Sequence, residues 1–363
     1  MKVLTEKMGF KRSRADPCFL MKQDPKRGPI LFFSYVDDCV VMGTPEGRAW
    51  FKAEIRKHFS TKDANPLTDY VGVTIHRTEK GFILHQDDLL ARMEKDFIKS
   101  LEHIKSCDSP MKPGYTIKRP EEGEELLSPT DQRKYRSGVG SLNYLVKHTR
   151  PDLCNAVREL SKVLNGATEQ HLQDLYRVLK YVLYTKHMGF PIEPTFIPKW
   201  PDLAWLIEAW TDSDYANDRD NRKSVSAHEV YANGVLVVQK SRLQKTVALS
   251  SCEAEYMAAA EACSAILHLK QVLESMGVTI QYPIPLYMDN QGAIFLTTNE
   301  STTRTKHIDV RYHFLRELTE GPNPLIKVKY CPTHENRADV HTKNVPVHVF
   351  RTAFHENRLK SID

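Results

Sequence analysis

No stretch of the sequence approaches the roughly 20 consecutive apolar residues that a bilayer-spanning helix needs. The amino-terminal MKVLTEKMGFKRS has no secretory h-region. Both absences point away from a membrane partner and a secretory route. The seven cysteines are scattered, odd in number and without C-x-x-C spacing. This argues against a disulfide framework or a zinc site and for a reducing compartment. Internal repeats and low-complexity tracts are missing, which excludes a repeat array. Charge of one sign does not dominate either: Lys+Arg number 51 against 46 Asp+Glu, a formal net charge of +5. Such a balance permits a polyanionic partner without demanding one. What is present is the composition of a soluble globular protein, 41% hydrophobic and 27% charged, and 363 residues suffice for two or three domains.

The run FFSYVDDCVVMG (32–43) sets Asp37 and Asp38 side by side in an otherwise apolar, β-prone stretch. Adjacent carboxylates repel and lose hydration unless something positive lies between them. PILFFSYVDDCVVMG reads as two short strands with the aspartates at the bend. EGRAWFKAEIRKHFS carries Trp50, Phe51, Ile55 and Phe59 near helical spacing. YVGVTIHRTEKGFILHQ reads as a second hairpin with Glu79, Lys80 and Gly81 near its turn. Strand pairs with packed helices predict an α+β layer. SPMKPGYTIKRPEEGEELLSPTD, dense in proline, glycine and charge, reads as a linker or surface loop. The next segment reads as helical, and DLYRVLKYVLYTKHMGF sets Leu175, Val178, Leu179, Val182 and Leu183 on one face. Four prolines within 191–201 mark a further boundary, and the remainder is mixed α/β.

Four carboxylates in that remainder call for a joint reading. LIEAWTDSDYAND is a strand candidate ending in Asp212, and PIPLYMDNQGAI is another, ending in Asp289 before a helix start at Asn290. Between them ALSSCEAEYMAAAEACSAILHLKQVLESMG is a strong helix, with Ser250 as N-cap and Glu253 completing a capping box. Ala258, Ala262, Ala265, Leu269, Val272 and Met276 recur at spacings of four and three and predict its buried stripe. At about 100° per residue, Glu255 lies roughly 60° from the centre of that stripe and Glu253 roughly 140°. Glu255 therefore borders the buried face, where it can meet the strand ends, while Glu253 points outward and caps. The fourth carboxylate is Asp339 in PTHENRADVHTK, after the strand candidate LIKVKY. Asp214 competes with Asp212 for the first position, and Asp218 and Asp220 fall in a predicted loop. Taken singly, an aspartate at a strand end is more often a turn former or a helix cap. Taken together, converging carboxylates need a hard divalent cation, and Mg²⁺ takes oxygen ligands. Two such ions about 4 Å apart clamp the attacking and leaving oxygens of an in-line phosphodiester displacement.

AWTDSDYANDRDNRKSVSA, QKSRLQKTVALSSCEAEYMAAAEA, YMDNQGAI, RTKHIDVRYHFLRE and ENRADVHTK follow one another across most of residues 205–345. This segment resembles the RNase H domain of copia-type LTR retrotransposon polyproteins. The resemblance implies an RNase H-like fold, a five-stranded mixed sheet with flanking helices. It also implies cleavage of the RNA strand of RNA–DNA hybrids with Mg²⁺, or Mn²⁺ in its place. It carries the family's catalytic, metal-binding acids onto Asp212, Glu255, Asp289 and Asp339. Upstream, YVDD (Tyr35, Val36, Asp37, Asp38), with MGFKRSRADPCFLMK before it and YVGVTIHRTEKGFILHQ after, resembles the reverse transcriptase palm. Asp37 and Asp38 accordingly look like polymerase metal ligands. YRSGVGSLNYLVKHTRPDLCNAV resembles the helical thumb and connection. The family's other palm aspartate lies well upstream of YVDD, and only 36 residues precede Asp37. The resemblance thus implies an incomplete RNA-directed DNA polymerase site, with the upstream polymerase portion of the same polyprotein as its partner. In departures from the family, Ala227 and His228 replace a small pair after KSVS, and Cys252 stands where Thr is usual. Lys329 occupies the place of a mobile histidine of many cellular RNases H; His334 is nearer the last aspartate.

The expected fold class is therefore α+β and α/β multidomain: a partial palm with the YVDD hairpin (1–105), a linker (106–131), a helical thumb and connection (132–200), an RNase H domain (201–345) and a tail (346–363). Arg304, Lys306, His307 and Arg311, and a second group of Arg222 and Lys223 with Lys240, Arg242 and Lys245, are the candidate nucleic-acid contacts. The expected partners are an RNA–DNA hybrid, an RNA template and DNA, read through shape, phosphates and 2′-OH groups. The competing class is a catalytically silent nucleic-acid-binding remnant of a transposon. The resemblance implies an intracellular location, a cytoplasmic virus-like particle and the nucleus.

Overall fold

The computed structural model describes residues 2–62, 67–105, 107–198, 204–298 and 309–362, with 298 and 309–313 by their backbone alone. The chain divides into two compact units. One comprises Met1–Val71, Pro198–Trp205 and Ile266–Gln281, the other Gly72–Ile197, Leu206–Ala265 and Tyr282–Asp363.

A run of short turns builds the sheet of the first unit. β1 (Lys11–Arg12), β2 (Phe19–Asp24), β3 (Gly28–Tyr35) and β4 (Asp38–Gly43) pair antiparallel in sequence order. Tyr35 pairs with Asp38 across a two-residue turn, so the aspartates sit at the bend as the sequence predicts. Val36 in that turn has φ +51°, a region that a β-branched residue rarely adopts. Thr44 starts α1 (Pro45–Ile55) by accepting the Gly47 N–H at 3.0 Å. The helix lays Phe51 on Leu20, Ile30 and Phe32. A short β5 (Asp69–Tyr70) follows.

The second unit opens with the hairpin of β6 (Val73–Arg77) and β7 (Phe82–His85), then α2 (Asp87–Phe97). Helices α3 (Pro129–His148), α4 (Cys154–Leu160) and α5 (Glu169–Tyr184) follow, and β8 (Met188–Ile192) returns to pair with β7. Leu175, Val178, Leu179 and Val182 are wholly buried in the helical core, and Leu183 packs at its border. The buried Arg150 guanidinium donates to both oxygens of Asp152, at 2.9 and 2.7 Å, which makes its burial tolerable.

Past β9 (Ala204–Trp205) comes the sheet that positions the site. β10 (Ile207–Asp214), β11 (Val225–Ala232) and β12 (Val235–Leu243) form an antiparallel meander, its second turn made by Asn233 and Gly234, both at positive φ. After α6 (Ser251–Ser275) and β13 (Thr279–Ile280), which pairs with β9, come β14 (Ile284–Met288), α7 (Gln291–Thr298), α8 (Asp309–Thr319) and β15 (Ile326–Tyr330). The order is β12-β11-β10-β14-β15, with β14 parallel to both β10 and β15. This is the five-stranded mixed sheet with helices that the RNase H resemblance implies. The chain closes with α9 (Val347–Phe350) and β16 (Lys360–Ser361), which pairs with β8. Among the described residues no helix is long and apolar enough to cross a membrane.

Four features differ from the sequence expectation. Residues 72–105 lie in the second unit rather than with the YVDD hairpin, because β7 pairs with β8 over a hundred residues later. The expected linker 106–131 is irregular but packed: Met111 and Ile117 are buried, Tyr115 donates to Asp174 at 2.6 Å, and the Ile117 N–H donates to Glu159 at 2.8 Å. Proline and glycine deny it a regular element without denying it burial. The expected tail also belongs to the helical core, through Phe350, Phe354 and Leu359. Lastly, α6 is buried far beyond one stripe. Ala254, Tyr256, Ala258, Ala259, Ala262, Cys263 and Ile266 are fully enclosed, while Ala265, Leu269, Val272 and Met276 are only half-buried.

Candidate active site

Parallel pairing aligns the carboxyl ends of β10 and β14. Ala209 pairs with Leu286 and Trp210 with Tyr287. Continued for two residues, that register sets Asp212 level with Asp289, the residue that follows β14. Ligands of open α/β sheets gather beyond such strand ends. The start of α6 supplies the third acid. Ser250 accepts the Glu253 N–H at 3.1 Å, and the Glu253 carboxylate takes the Leu249 N–H at 2.7 Å, so Glu253 caps, reaching one residue further back than a standard capping box. Glu255, two residues on, is buried; its Oε1 accepts the backbone N–H and the hydroxyl of Ser213, at 3.1 and 3.0 Å. One oxygen each from Asp212, Glu255 and Asp289 lies within 4.8 Å of the others.

Asp339 stands apart from this triple. It opens the 3₁₀ turn Asp339–His341, and its Oδ1 accepts from Lys343 Nζ at 2.6 Å. The Thr342 hydroxyl lies 2.8 Å from Asp212 Oδ2 and 2.9 Å from the Asp339 carbonyl oxygen. The Asn336 amide donates to the Thr211 carbonyl at 3.0 Å. Residues 336–343 are thus tied to the end of β10. Asp214 lies outside the triple and accepts from Asn217. Asp218 and Asp220 pair with Arg119.

Burial, with the charges of Asp212 and Asp289 adding to it, pushes the Glu255 carboxyl up to about 9. Burial, then the charges of Asp339 and Asp289, push Asp212 up to about 7 against the Thr342 hydrogen bond. Glu255 Oε2 is buried without any hydrogen-bond partner. An orphaned carboxylate oxygen among acids is costly, and this all-oxygen set fits a hard divalent cation. Because both folded-state values exceed the ordinary 4 or so of unfolded carboxyls, the stabilising protonated form is complete below that value. It is lost as pH rises through about 7 and about 9. Metal-free protein should therefore lose melting temperature steadily from pH 5 to 9. A divalent cation bound by these acids would displace those protons, so saturating Mg²⁺ would then flatten the slope; thermal melts with EDTA and with Mg²⁺ check both.

No protein-family model matches the chain. Curated relatives do. The Retrovirus-related Pol polyprotein from transposon TNT 1-94 of Nicotiana tabacum is 32% identical over 352 residues, 94% of this chain and 25% of its own length. The corresponding polyprotein from transposon RE1 of Arabidopsis thaliana is 32% identical over 353 residues, 96% of this chain and 22% of its own. The chain belongs to the copia-type retrotransposon Pol polyproteins. It spans about a quarter of the length of these relatives. Among solved structures, an RNase H1 isolated from compost is similar over 37% of this chain and 91% of its own, with 15% identity and a TM-score of 0.30. The RNase H1 of Halobacterium salinarum is similar over 41% and 98%, with 17% identity and a TM-score of 0.28.

Elsewhere in this Pol polyprotein segment the candidate residues are dispersed. Asp37 and Asp38 are exposed at the tip of the β3–β4 hairpin and, among the described residues, join no group of three potential metal ligands. Arg304, Lys306 and His307 lie outside the described residues, as does the side chain of Arg311. Arg222 is exposed between β10 and β11 at φ +58°, and Lys223 beside it is half-buried. Lys240 and Arg242 are exposed on one face of β12, and Lys245 is exposed just beyond it. The His334 side chain is 81% exposed beside Glu335. Sequence reasoning missed Ser213, Thr342, Asn336 and Lys343. Each sits within three residues of a predicted acid except Lys343, four beyond Asp339, and that proximity was the available signal.

Proposed function

We propose that this segment is a metal-dependent RNase H, hydrolysing the RNA strand of RNA–DNA hybrids. The observation that carries the reading is the meeting of Asp212, Glu255 and Asp289 at the ends of parallel strands. In this reading those three, joined by Asp339, hold Mg²⁺, which supplies charge stabilisation to the in-line displacement of a phosphodiester. The chain's own residues prepare the site. Ser213 fixes one oxygen of Glu255 and leaves the other free to ligate. Thr342 orients Asp212, and Lys343 holds the Asp339 carboxylate and offsets its charge. Arg222, Lys223, Lys240 and Arg242, with Arg304, Lys306, His307 and Arg311, bind phosphates, and 2′-OH groups distinguish the RNA strand. Asp37 and Asp38 serve the polymerase site of the larger Pol polyprotein, with RNA template and DNA as its ligands, inside an intracellular particle.

The test is an end-labelled hybrid incubated with the purified chain. Mg²⁺ should give internal cuts in the RNA strand alone, EDTA should abolish them, and duplex DNA should stay whole. A hybrid that is bound yet uncut in Mg²⁺ and in Mn²⁺ would replace this reading with that of a silent binding remnant.

A further inference from the structure

A second group of ligand-type side chains sits on the β6–β7 hairpin. One ligand atom each from His76, His85 and Asp87 lies within 4.8 Å of the others. Local geometry explains the grouping. Thr74 pairs with His85 and His76 with Ile83, so the two histidines are diagonal neighbours on one face, their rings 5.9 Å apart. Asp87 opens α2 directly after β7, with Gln86 between.

The hydrogen bonding around His85 is inconsistent with a neutral ring alone. His85 is 3% exposed; its Nε2 lies 2.7 Å from the Lys186 carbonyl oxygen and its Nδ1 2.8 Å from Asp87 Oδ1. A carbonyl oxygen only accepts, so Nε2 carries the hydrogen. Neutral imidazole has one N–H, and Nδ1 then turns a lone pair toward a carboxylate. Something positive must stand between them. His76 Nε2 lies 3.4 Å from the other oxygen of the same carboxylate, buried and without a hydrogen-bond partner. A second proton on His85 would resolve the first contact and leave His76 orphaned. A cation resolves all three.

We propose that His76, His85 and Asp87 form a binding site for a zinc-type divalent cation. Two imidazoles and a carboxylate are donors suited to Zn²⁺, with water completing four. Tetrahedral bonds of about 2.0–2.1 Å place ligand atoms about 3.3 Å apart. His85 Nδ1 lies 2.8 Å from one Asp87 oxygen and His76 Nε2 3.4 Å from the other, so either oxygen can serve as the single carboxylate ligand. The Lys186 carbonyl fixes the tautomer and the ring of His85, the usual outer partner of a ligating histidine. No cysteine takes part, which is why cysteine spacing gave no hint of it. The cation would clamp the hairpin to the first turn of α2. Its nitrogen donors also set it apart from the all-oxygen triple of Asp212, Glu255 and Asp289.

The full chain, stripped of metal, is titrated with Zn²⁺ alone against a chromophoric chelator in excess Mg²⁺, with Co²⁺ as an optical probe. The expected result is one Zn²⁺ equivalent that survives in Asp212→Asn, and a visible Co²⁺ spectrum of four-coordinate type. In His76→Gln, which changes a half-buried side chain, the affinity should fall at least tenfold and the Co²⁺ spectrum should vanish, while circular dichroism is unchanged. His85→Gln should behave alike, and His76→Gln stands alone if that variant fails to fold. Zn²⁺ affinity unaltered by His76→Gln, or no Zn²⁺ equivalent at all, overturns the proposal.

Discussion

Asp212→Asn is expected to cut Mg²⁺-dependent hybrid cleavage by about 10³-fold while raising the melting temperature of the metal-free protein. The two effects have opposite signs because one carboxylate does two things. With a cation present, it would be the most buried member of the ligand set, and charge stabilisation by bound metal contributes several kcal/mol to phosphodiester displacement. At about 1.4 kcal/mol per tenfold in rate, losing most of that gives the stated drop. Without a cation, burial, and after it the charges of Asp339 and Asp289, hold the proton of the same carboxylate on up to about 7. Asparagine keeps nearly the same volume and an oxygen for the Thr342 hydroxyl, yet brings no charge. The gain in melting temperature should be greatest at pH 8–9, where the native carboxyl is forced to ionise, and should vanish near pH 4. Single-turnover cleavage and thermal melts in EDTA read both. Cleavage within tenfold of the unaltered chain would remove Asp212 from the site, and a lowered melting temperature would refute the repulsion argument.

What could be read from the sequence was what local geometry dictates. Asp212 and Asp289 were visible as acids at the ends of β-prone runs, and Glu255 followed from its angle on a helix whose cap was legible at Ser250. The helical stripe from Leu175 to Val182 was equally plain. Three kinds of fact were hidden. Composition reports whether a segment can form a regular ladder, not whether it is buried, so 106–131 read as a linker although Met111 and Ile117 are enclosed. Alanine gives little amphipathic contrast, so α6 showed one stripe where close packing buries most of its early surface. Partners distant in sequence left no local mark: β7 with β8, or Thr342 with Asp212, 130 residues apart. Lys343 was hidden differently. It pairs with Asp339 at a helical spacing of four, but on a 3₁₀ turn that the sequence did not announce.

Glu229→Gln is expected to cost about 3–5 kcal/mol of folding stability, the range for breaking a buried ion pair by removing one partner. Glu229 lies on β11, fully buried, and its carboxylate serves three elements. Oε1 meets His341 Nε2 at 2.6 Å, and Oε2 accepts from Arg358 Nη2 at 2.8 Å and from the Tyr231 hydroxyl at 2.7 Å. Burial pushes its carboxyl up, but the Arg358 charge and the His341 contact outweigh this and bring it down to about 2. A depressed value stabilises the fold above the unfolded carboxyl range and loses that contribution as pH falls from about 4.5 to 2. The unaltered chain should show this acid loss in urea titrations, and Glu229→Gln should lack it. Since His341 ends the turn that Asp339 begins, slackening the anchor should also slow hybrid cleavage at pH 7, where the rest of the fold persists. The cost comes mainly from leaving the Arg358 guanidinium buried without a counter-charge, not from attraction forgone. Replacing both charges of that pair, Glu229→Leu with Arg358→Met, should therefore recover part of the stability that either single change removes; the remainder is the acceptor lost by His341 Nε2 and the Tyr231 hydroxyl. A double variant no more stable than the worse single one would show that this carboxylate contributes through geometry rather than charge.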